Sequence, residues 1–249
     1  SQVSYQGDGS GQDPYEVGNV DQLQCINSQG LSVNYTQASN IDASGTSAWN
    51  SGEGFEPIGN ESTVFTGTFN GSGYAVTGLY IDRSRSADDG SGLFGRAGPG
   101  ALLENIRVED VYVNNSDGNV GGVVGRNRKA TVKSSYVTGS VSSSGNSVGG
   151  LVGENALGTV TSSYATGDVS GDGEVGGLAG DNGGGTVQSS YATSNVSGSS
   201  QVGGLVGVNT QGDVVESNAT GDVSGSGNGV GGLVGENDFG AVRESYAIG

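Results

Sequence analysis

The stretch VGGLVGEN at 148–155, followed by SSYATG at 162–167, decides the fold because both pieces recur along the chain. The first recurs unchanged at 230–237 and with small changes at 120–127, 175–182 and 202–209, so its spacings are 28, 27, 27 and 28 residues. The second recurs as SSYVTG (134–139), SSYATS (189–194), ESNATG (216–221) and ESYAIG (244–249). A period this regular predicts a stack of equivalent structural units.

The composition of one unit favours strands over helices. No stretch of 148–174 sustains an apolar stripe through i, i+3, i+4 and i+7, and Gly, at 51 of 249 residues, destabilises helix interiors. Val, Thr, Tyr and Ile between turn residues suit short strands. We therefore predict one unit per coil of a parallel β-solenoid, with equivalent residues stacked about 4.8 Å apart.

Stacked units place equivalent residues in ladders along the solenoid. An Asn ladder is expected to bond side chain to side chain and to hold a turn in place. A Tyr ladder is expected to be interrupted by Asn218. The predicted ladders are Val120/Val148/Val175/Val202/Val230, Leu151/Leu178/Leu205/Leu233, Val132/Val160/Val187/Val214/Val242, Tyr136/Tyr164/Tyr191/Tyr246 and Asn127/Asn155/Asn182/Asn209/Asn237.

The unit VGGLVGEN…GTVTSSYATGDVSG resembles the GLUG motif, which occurs in tandem in secreted bacterial and archaeal surface proteins and adhesins. The resemblance is close over 120–249. Residues 14–119, with FTGTFNGSGYAVTGLYI and GLFG, resemble the segment that precedes such repeats. It implies a right-handed parallel β-helix, and the usual crossover rule gives the same hand. A scaffold of this kind is weak evidence for a particular function.

Four parts are predicted along the chain. Residues 1–13 form a polar N-terminal arm, and 14–62 form a cap with a short helix at 20–27, N-capped by Asn19. Within the cap, strands are expected near Ser32–Tyr35 and Glu56–Ile58. Two divergent coils, Thr63–Asp82 and Leu93–Val113, occupy 63–119, and five repeats, the last incomplete, occupy 120–249. The aromatic cluster of Trp49, Phe55, Phe65 and Phe69 is assigned to cap packing rather than to sugar stacking.

The net charge of the chain limits the kinds of partner that it can bind. The 26 acidic and 9 basic residues give a net charge of −17, which argues against nucleic acid and anionic membranes as partners. Lys is scarce, a pattern typical of proteins from high salt, so we predict a halophilic, archaeal source; an ordinary acidic secreted protein is the alternative. The sequence has no transmembrane run, and its start at Ser1 fits an exported chain whose signal peptide is removed before Ser1. Cys25 permits no internal disulfide and is assigned to cap packing.

Catalytic chemistry finds little support. The absence of His excludes Ser-His and Cys-His mechanisms and His-based metal sites. Asp168 and Asp222 share a column, but Ser140 and Asn195 interrupt it, which indicates a solvated face rather than a hydrolase pair. Glu154, Asp181 and Glu236 share a second interrupted column. Calcium at 88–90 or 172–174 is disfavoured because neither segment matches a known loop. We predict no enzyme, no cofactor, no metal and no catalytic residue.

The last repeat stops at Gly249, about seven residues short by analogy with DVSGDGE at 168–174. An open sheet edge is therefore expected, and such edges invite pairing. Because SYAIG followed by SQVS matches SYATG-DVSG, a neighbouring molecule could supply the missing strand through its arm. Alternatives are a fragment of a longer adhesin, or a mobile arm. The candidate assembly residues are Gln2, Val3, Ser4, Tyr246, Ile248 and Gly249.

The favoured function is structural: an exported subunit of a cell-surface or extracellular filament that assembles with copies of itself. The alternative is an adhesin stalk that presents a face to glycans or other cells, and a carbohydrate-active enzyme is third. Neither nucleic-acid binding nor membrane insertion is expected. N-glycosylation sequons mark six candidate modification sites, Asn34, Asn60, Asn70, Asn114, Asn195 and Asn218.

Overall fold

The computed structural model describes residues 3–84, 89–145 and 147–248. These residues form a parallel β-solenoid, and every pairing between its strands is parallel. In a complete coil the chain passes through four sheets in turn, so the same strand of successive coils stacks in one sheet. The predicted fold class is thereby confirmed, while its right-handed winding stays a prediction.

The first two sheets carry the VGGLVGEN part of each coil. Sheet 1 has five strands, Val120–Gly121, Val148–Gly149, Val175–Gly176, Val202–Gly203 and Val230–Gly231. Sheet 2 has six strands, Phe94–Ala97, Val124–Arg128, Val152–Ala156, Ala179–Asp181, Val206–Thr210 and Val234–Asp238.

The other two sheets carry the TVTSSYATG part and extend further toward the N-terminus. Sheet 3 has nine strands, Tyr15–Val17, Asn34–Gln37, Thr68–Asn70, Leu102–Glu104, Thr131–Lys133, Thr159–Thr161, Thr186–Gln188, Asp213–Val215 and Ala241–Arg243. Sheet 4 has eleven strands, Ile41–Asp42, Ala75–Thr77, Tyr80–Arg83, Arg107–Asn115, Tyr136–Ser143, Tyr164–Gly171, Tyr191–Ala192, Asn195–Gly198, Asn218–Ala219, Val223–Gly225 and Tyr246–Ala247.

The predicted ladders are present in register. The Val and Leu ladders point inward and fill the core, where Val148, Leu151 and Val160 have no exposed surface. The Tyr ladder lies outside, with Tyr136, Tyr164 and Tyr191 stacked 4.7 Å apart. The repeat spacing therefore predicted both the ladders and their pairing.

The Asn ladder is buried and bonded as expected. Each interior Asn amide donates to the next Asn oxygen at 2.7–2.8 Å and also to a carbonyl three residues ahead. Asn182, for example, donates to Gly185 O and to Asn209 Oδ1. Because these amides have no exposed surface, the ladder satisfies polar groups that water cannot reach.

Close coil stacking explains the glycines of the VGG motif. A Cβ on Gly177 would lie 2.1 Å from the Gly204 carbonyl oxygen in the next coil. Backbone in the adjoining coil cannot yield as a flexible side chain can, so only Gly fits there.

The cap closes the N-terminal end with a helix over Val20–Gln29. Asn19 caps it as predicted, with its side chain accepting from Gln22 N at 2.9 Å. The helix runs two residues beyond the predicted end at Asn27 and ends at Gly30. A second, kinked 3-10 helix at Ser44–Gly52 was not predicted.

Two strand predictions in the cap need correction. The strand expected near Ser32–Tyr35 lies at Asn34–Gln37, since the longer helix delays it. Glu56–Ile58 is not a strand: Ile58 makes one isolated bridge to Phe94, and Pro57 has no N–H to give to a ladder.

Aromatic packing in the cap agrees with the cap-packing assignment. Phe55, Phe65 and Phe69 have no exposed surface, and Phe65 and Phe69 both pack on Phe94, with ring centroids 5.0 and 5.5 Å apart. Trp49 is half-buried against the same core. Cys25 is a free, half-buried thiol on the cap helix.

Candidate assembly site at the open end

The last coil exposes ladder residues that every earlier coil buries. Val230 is 44% exposed and Val242 is 39% exposed, whereas their counterparts Val202 and Val214 have no exposed surface. Ile248 is 65% exposed. The last described coil therefore leaves apolar core residues uncovered on its outer side.

A groove opens on this outer side beside Val223. It encloses about 540 Å³ and runs between sheet 4 and sheet 1 of the last coil. Its lining residues are Gly221, Asp222, Val223, Val230, Gly231, Gly232, Ala247 and Ile248. Among the described residues, the strand Val223–Gly225 pairs only with Asn195–Gly198. The groove thus occupies the place of the next strand of sheet 4.

Hydrogen-bond ladders also end unfinished at this edge. Asn237 Oδ1 accepts from Asn209 at 2.7 Å, and Asn237 Nδ2 donates to Gly240 O, but no further Asn among the described residues takes its second N–H. Ser245 continues a Ser ladder in which Ser217 N donates to Ser245 Oγ at 3.0 Å. The edge therefore offers both apolar surface and polar groups to an added coil.

The N-terminal arm lies at the other end of the molecule, folded on its own cap. Gln22 Nε2 donates to Ser4 O at 2.8 Å, and the Tyr5 hydroxyl donates to Gln22 O. Glu16 N donates to Gln6 O at 2.9 Å, so the arm covers the outer edge of the first strand of sheet 3. Val3 contributes to a shallow groove with Cys25 and Trp49 on the cap.

The structure thus separates the two sets of candidate assembly residues within one molecule. Val3 and Ser4 lie at the cap end, and Tyr246 and Ile248 lie at the open end. Gln2 and Gly249 lie outside the described residues. Contact between the two sets would consequently require two molecules.

The acidic column of sheet 2 was predicted to be a solvated face, but part of it is half-buried and ion-paired. In register order it reads Arg126, Glu154, Asp181, Val208 and Glu236. Arg126 Nε lies 2.8 Å from Glu154 Oε2. Burial, with the nearby charges of Glu174 and Glu154, raises the pKa of Asp181 to about 7. Glu154 is engaged by its Arg partner, which favours a structural role for this column.

The acidic column that contains Asp168 and Asp222 lies on sheet 4. Asp168 is in register with Asn195, which donates to it at 3.1 Å, so Asp168 and Asp222 are two coils apart. No group of three or more His, Cys, Asp or Glu residues in the described part of the chain is arranged to hold a metal ion. None of its helices is long and apolar enough to cross a membrane.

The six sequon asparagines differ in exposure and bonding. Asn195 is exposed, and the others are half-buried. Asn60 accepts from Ser62 N and Thr63 N in a local turn, and Asn70 and Asn114 donate to carboxylates. The amide of Asn34 donates to a backbone oxygen, whereas no hydrogen bond joins the Asn218 side chain to any described residue. Their modification stays a prediction.

The repeat unit matches a known family. The model of the GLUG motif matches residues 116–142, 144–170 and 198–224, which confirms the resemblance read from the sequence. The chain therefore carries GLUG repeats, built here as single coils of a β-solenoid. The repeats that begin at Val175 and Val230 have the same coil structure but lie outside the matched stretches.

Two curated proteins share sequence with this chain. Halomucin of Haloquadratum walsbyi is 37% identical over 145 residues, which is 55% of this chain and 2% of that protein. A protein of Evansella cellulosilytica named "Putative Gly-rich membrane protein" is 41% identical over 64 residues, 25% of this chain and 7% of that one. The chain thus corresponds to a small part of the length of each relative.

One solved structure is similar over nearly the whole chain. It is the crystal structure of a "putative immunoglobulin A1 protease" from Bacteroides ovatus, with a TM-score of 0.76 and 21% identity. The match covers 97% of this chain and 77% of that one. At this level of identity the similarity establishes the fold alone.

Proposed function

We propose that the chain is an exported structural component of a cell-surface or extracellular filament whose copies join head to tail. The observation that carries the proposal is the groove beside Val223, which lies where a further strand of sheet 4 would pair and is lined in part by Val223, Val230 and Ile248. The GLUG repeats and the two relatives, halomucin and a protein named as a membrane protein, support a surface or extracellular location. The proposal assigns no catalytic step to the chain.

The donor strand we propose is the start of the arm of a neighbouring copy. Gln2-Val3-Ser4 aligns with Asp222-Val223-Ser224, so Val3 would extend the inward ladder of Val141, Val169, Val196 and Val223. The bond to Ser4 O is the only hydrogen bond that holds the described residues before Tyr5 to their own cap, where half-buried Val3 also lines the groove with Cys25 and Trp49. Tyr5 can therefore stay anchored while the preceding residues, about 10–14 Å of extended chain, reach outward. Head-to-tail contacts of this kind do not close on themselves and produce filaments.

A cross-linking experiment tests this pairing. With Cys25→Ser removing the native thiol, Ser4→Cys and Ser224→Cys place one thiol on the proposed donor and one on the exposed acceptor strand. Paired strands lie about 4.8 Å apart, within the roughly 4.4–6.8 Å between Cα atoms that a disulfide spans. We expect mild oxidation to give a ladder of reducible oligomers on gels, and filaments of uniform width in negative-stain images.

The matched control replaces Ser4→Cys by Ser10→Cys, which lies in the same exposed arm but outside the proposed strand. It should form disulfide-linked oligomers no faster than random collision allows. Equal cross-linking of the two pairs, or a monomer in every image at high concentration, would show that the arm does not complete the open coil.

A further inference from the structure

Charge is distributed unevenly along the solenoid. Residues 1–95 carry eleven acidic and two basic side chains, and residues 134–249 carry eleven acidic and one basic. Residues 96–133, here called the basic belt, carry four acidic and six basic side chains. A net charge of +2 therefore separates segments of −9 and −10. The belt occupies little more than one coil, so its width along the axis is about 5–10 Å.

A pocket of about 230 Å³ opens on this belt, here called the belt pocket. Three of the six belt cations contribute to it, together with apolar side chains from the neighbouring coils. Its lining residues are Val64, Arg96, Gly98, Pro99, Arg128 and Lys129. Arg96 is 8% exposed and forms the floor, whereas Arg128 and Lys129 are exposed at the rim.

The two rim cations differ from Arg107 and Arg126 of the belt in having no acidic partner among the described residues. Arg107 pairs with Glu109 at 2.9 Å, and Arg126 pairs with Glu154 at 2.8 Å. Arg128 and Lys129 form no ion pair with any residue that the structure describes. Two unneutralised cations beside each other in a chain of net charge −17 create a local site for an anion.

The backbone fixes the rim in place. Arg128 ends a strand of sheet 2 in register with Ala156, and Lys129 follows in a left-handed turn with φ 59°. Lys129 N donates to Ala156 O at 3.0 Å in the next coil, and Gly100 N donates to Lys129 O at 3.4 Å in the preceding one. Bonds to both neighbouring coils hold this corner, so the backbone that carries the rim cations needs little ordering when a ligand binds.

We propose that the belt pocket binds the carboxylate or sulfate group of an acidic polysaccharide. Arg128 offers the planar fork of donors that matches such a group, and Lys129 adds a point charge. Val64 and Pro99 provide an apolar wall for the face of a sugar ring. This binding role is separate from head-to-tail assembly, because the belt lies between the two ends of the solenoid.

The width of the belt selects the shape of the polyanion. A nucleic-acid duplex or an anionic bilayer is broader than the belt and would overlie the acidic coils on both sides, where like charges repel it. A single polysaccharide chain running around the coil, across the solenoid axis, meets only the belt. The geometry therefore favours a thin polyanion with separated charges.

Isothermal titration with defined probes tests this assignment. The probes are oligogalacturonate, sulfated dextran oligomers, neutral dextran oligomers and a short DNA duplex, all in 0.15 M NaCl. We expect saturable binding of at least one acidic oligosaccharide, with no binding of neutral dextran and weaker binding of DNA. The double variant Arg128→Gln/Lys129→Gln should lose about tenfold or more in affinity, since it removes both cations at the rim of the pocket.

The matched control is Arg243→Glu, which changes the net charge by the same two units but lies outside the belt. Arg243 is four coils, about 19 Å, from the belt coil, beyond a Debye length of about 8 Å, so the affinity should stay within about twofold of the unmodified chain. Equal losses of affinity in the two variants would mean that diffuse surface attraction, and not the pocket, binds the polysaccharide. Tighter binding of duplex DNA, or no binding of either acidic oligosaccharide, would also overturn the proposal.

Discussion

Asn218 interrupts an otherwise continuous stack of tyrosine rings, and filling this gap should stabilise the protein. Tyr164 and Tyr191 stack with centroids 4.7 Å apart and planes 5° from parallel. Asn218 follows in register with Tyr191, and Tyr246 follows Asn218. Because the Asn218 side chain bonds to no described residue, Asn218→Tyr should sacrifice nothing and restore two ring contacts.

The size of the gain follows from those two contacts. Each aromatic pair contributes about 0.5–1.5 kcal/mol beyond its buried area, so the two pairs should add about 1–3 kcal/mol to the free energy of unfolding. In a chain of this length 1 kcal/mol raises the Tm by roughly 2–4 °C. Coils of a solenoid contact only their neighbours, so the gain should concentrate in the coils that contain Tyr191, Asn218 and Tyr246.

Two measurements check this prediction. Urea unfolding should show the increase in the free energy of unfolding. Relative to the unmodified chain, the variant should show a larger slowing of hydrogen exchange in residues 189 to 248 than in residues 120 to 160. A double-mutant cycle isolates the stacking: Asn218→Tyr is also made in the Tyr191→Ala/Tyr246→Ala background. If the gain persists there at full size, it comes from strand propensity rather than ring stacking, and the reasoning fails.

Three further changes test the ladders, the coil spacing and the buried carboxyl. Asn182→Ala should lower the free energy of unfolding by about 2–4 kcal/mol, because it leaves buried groups without partners. Asn237→Ala at the exposed end should lower it by about 1 kcal/mol or less, and urea unfolding of both variants measures the difference. Gly177→Ala should prevent correct coil stacking, while Gly45→Ala, where a Cβ meets nothing within 4 Å, should leave the circular-dichroism melting curve nearly unchanged. The raised pKa of Asp181, about 7, means that the folded state holds a proton that the unfolded state has lost, so stability should fall as pH rises from about 4 to 7. Asp181→Asn should remove that part of the pH dependence, on the order of 1–2 kcal/mol after solvent screening, in unfolding measured at pH 5 and pH 8.

The structure of the repeat region was predictable because each position of the repeat occurs several times in the sequence. Five copies of an Asn at one position leave a buried ladder as the consistent arrangement, and the structure confirms it from Asn127 to Asn237. The break at Asn218 was equally visible in the sequence. Repetition thus substitutes for the homologous sequences that usually reveal such constraints.

The cap was less predictable because nothing in it repeats. The N-cap at Asn19 follows a local rule, so it was found. The 3-10 helix at Ser44–Gly52 follows no such rule, and its kink places Asn50 and Ser51 at positive φ. The apolar residues of Glu56–Ile58 looked like a strand, although Pro57 prevents a continuous ladder.

The groove and the belt pocket were likewise only partly predictable from the sequence. The groove itself was not visible in the sequence, because the closed coil is what brings Val230 beside Ile248. The belt pocket joins Val64, Arg96 and Arg128 from three successive coils. The excess of basic residues in 96–133 was visible in the sequence. The alignment of successive coils that brings these residues together was not.

Salt should act in opposite directions on the two proposed interactions. Head-to-tail assembly brings the −10 segment of one copy against the −9 segment of the next, so it is opposed by repulsion that extends about 30 Å at 0.01 M salt and about 3 Å at 1 M. Binding of an acidic polysaccharide to the belt is an attraction between opposite charges, which the same salt weakens. Raising NaCl from 0.01 to 1 M should therefore increase the Ser4→Cys/Ser224→Cys cross-linking and decrease oligogalacturonate affinity. A common response of both interactions to salt would mean that one of them does not use the surface assigned to it.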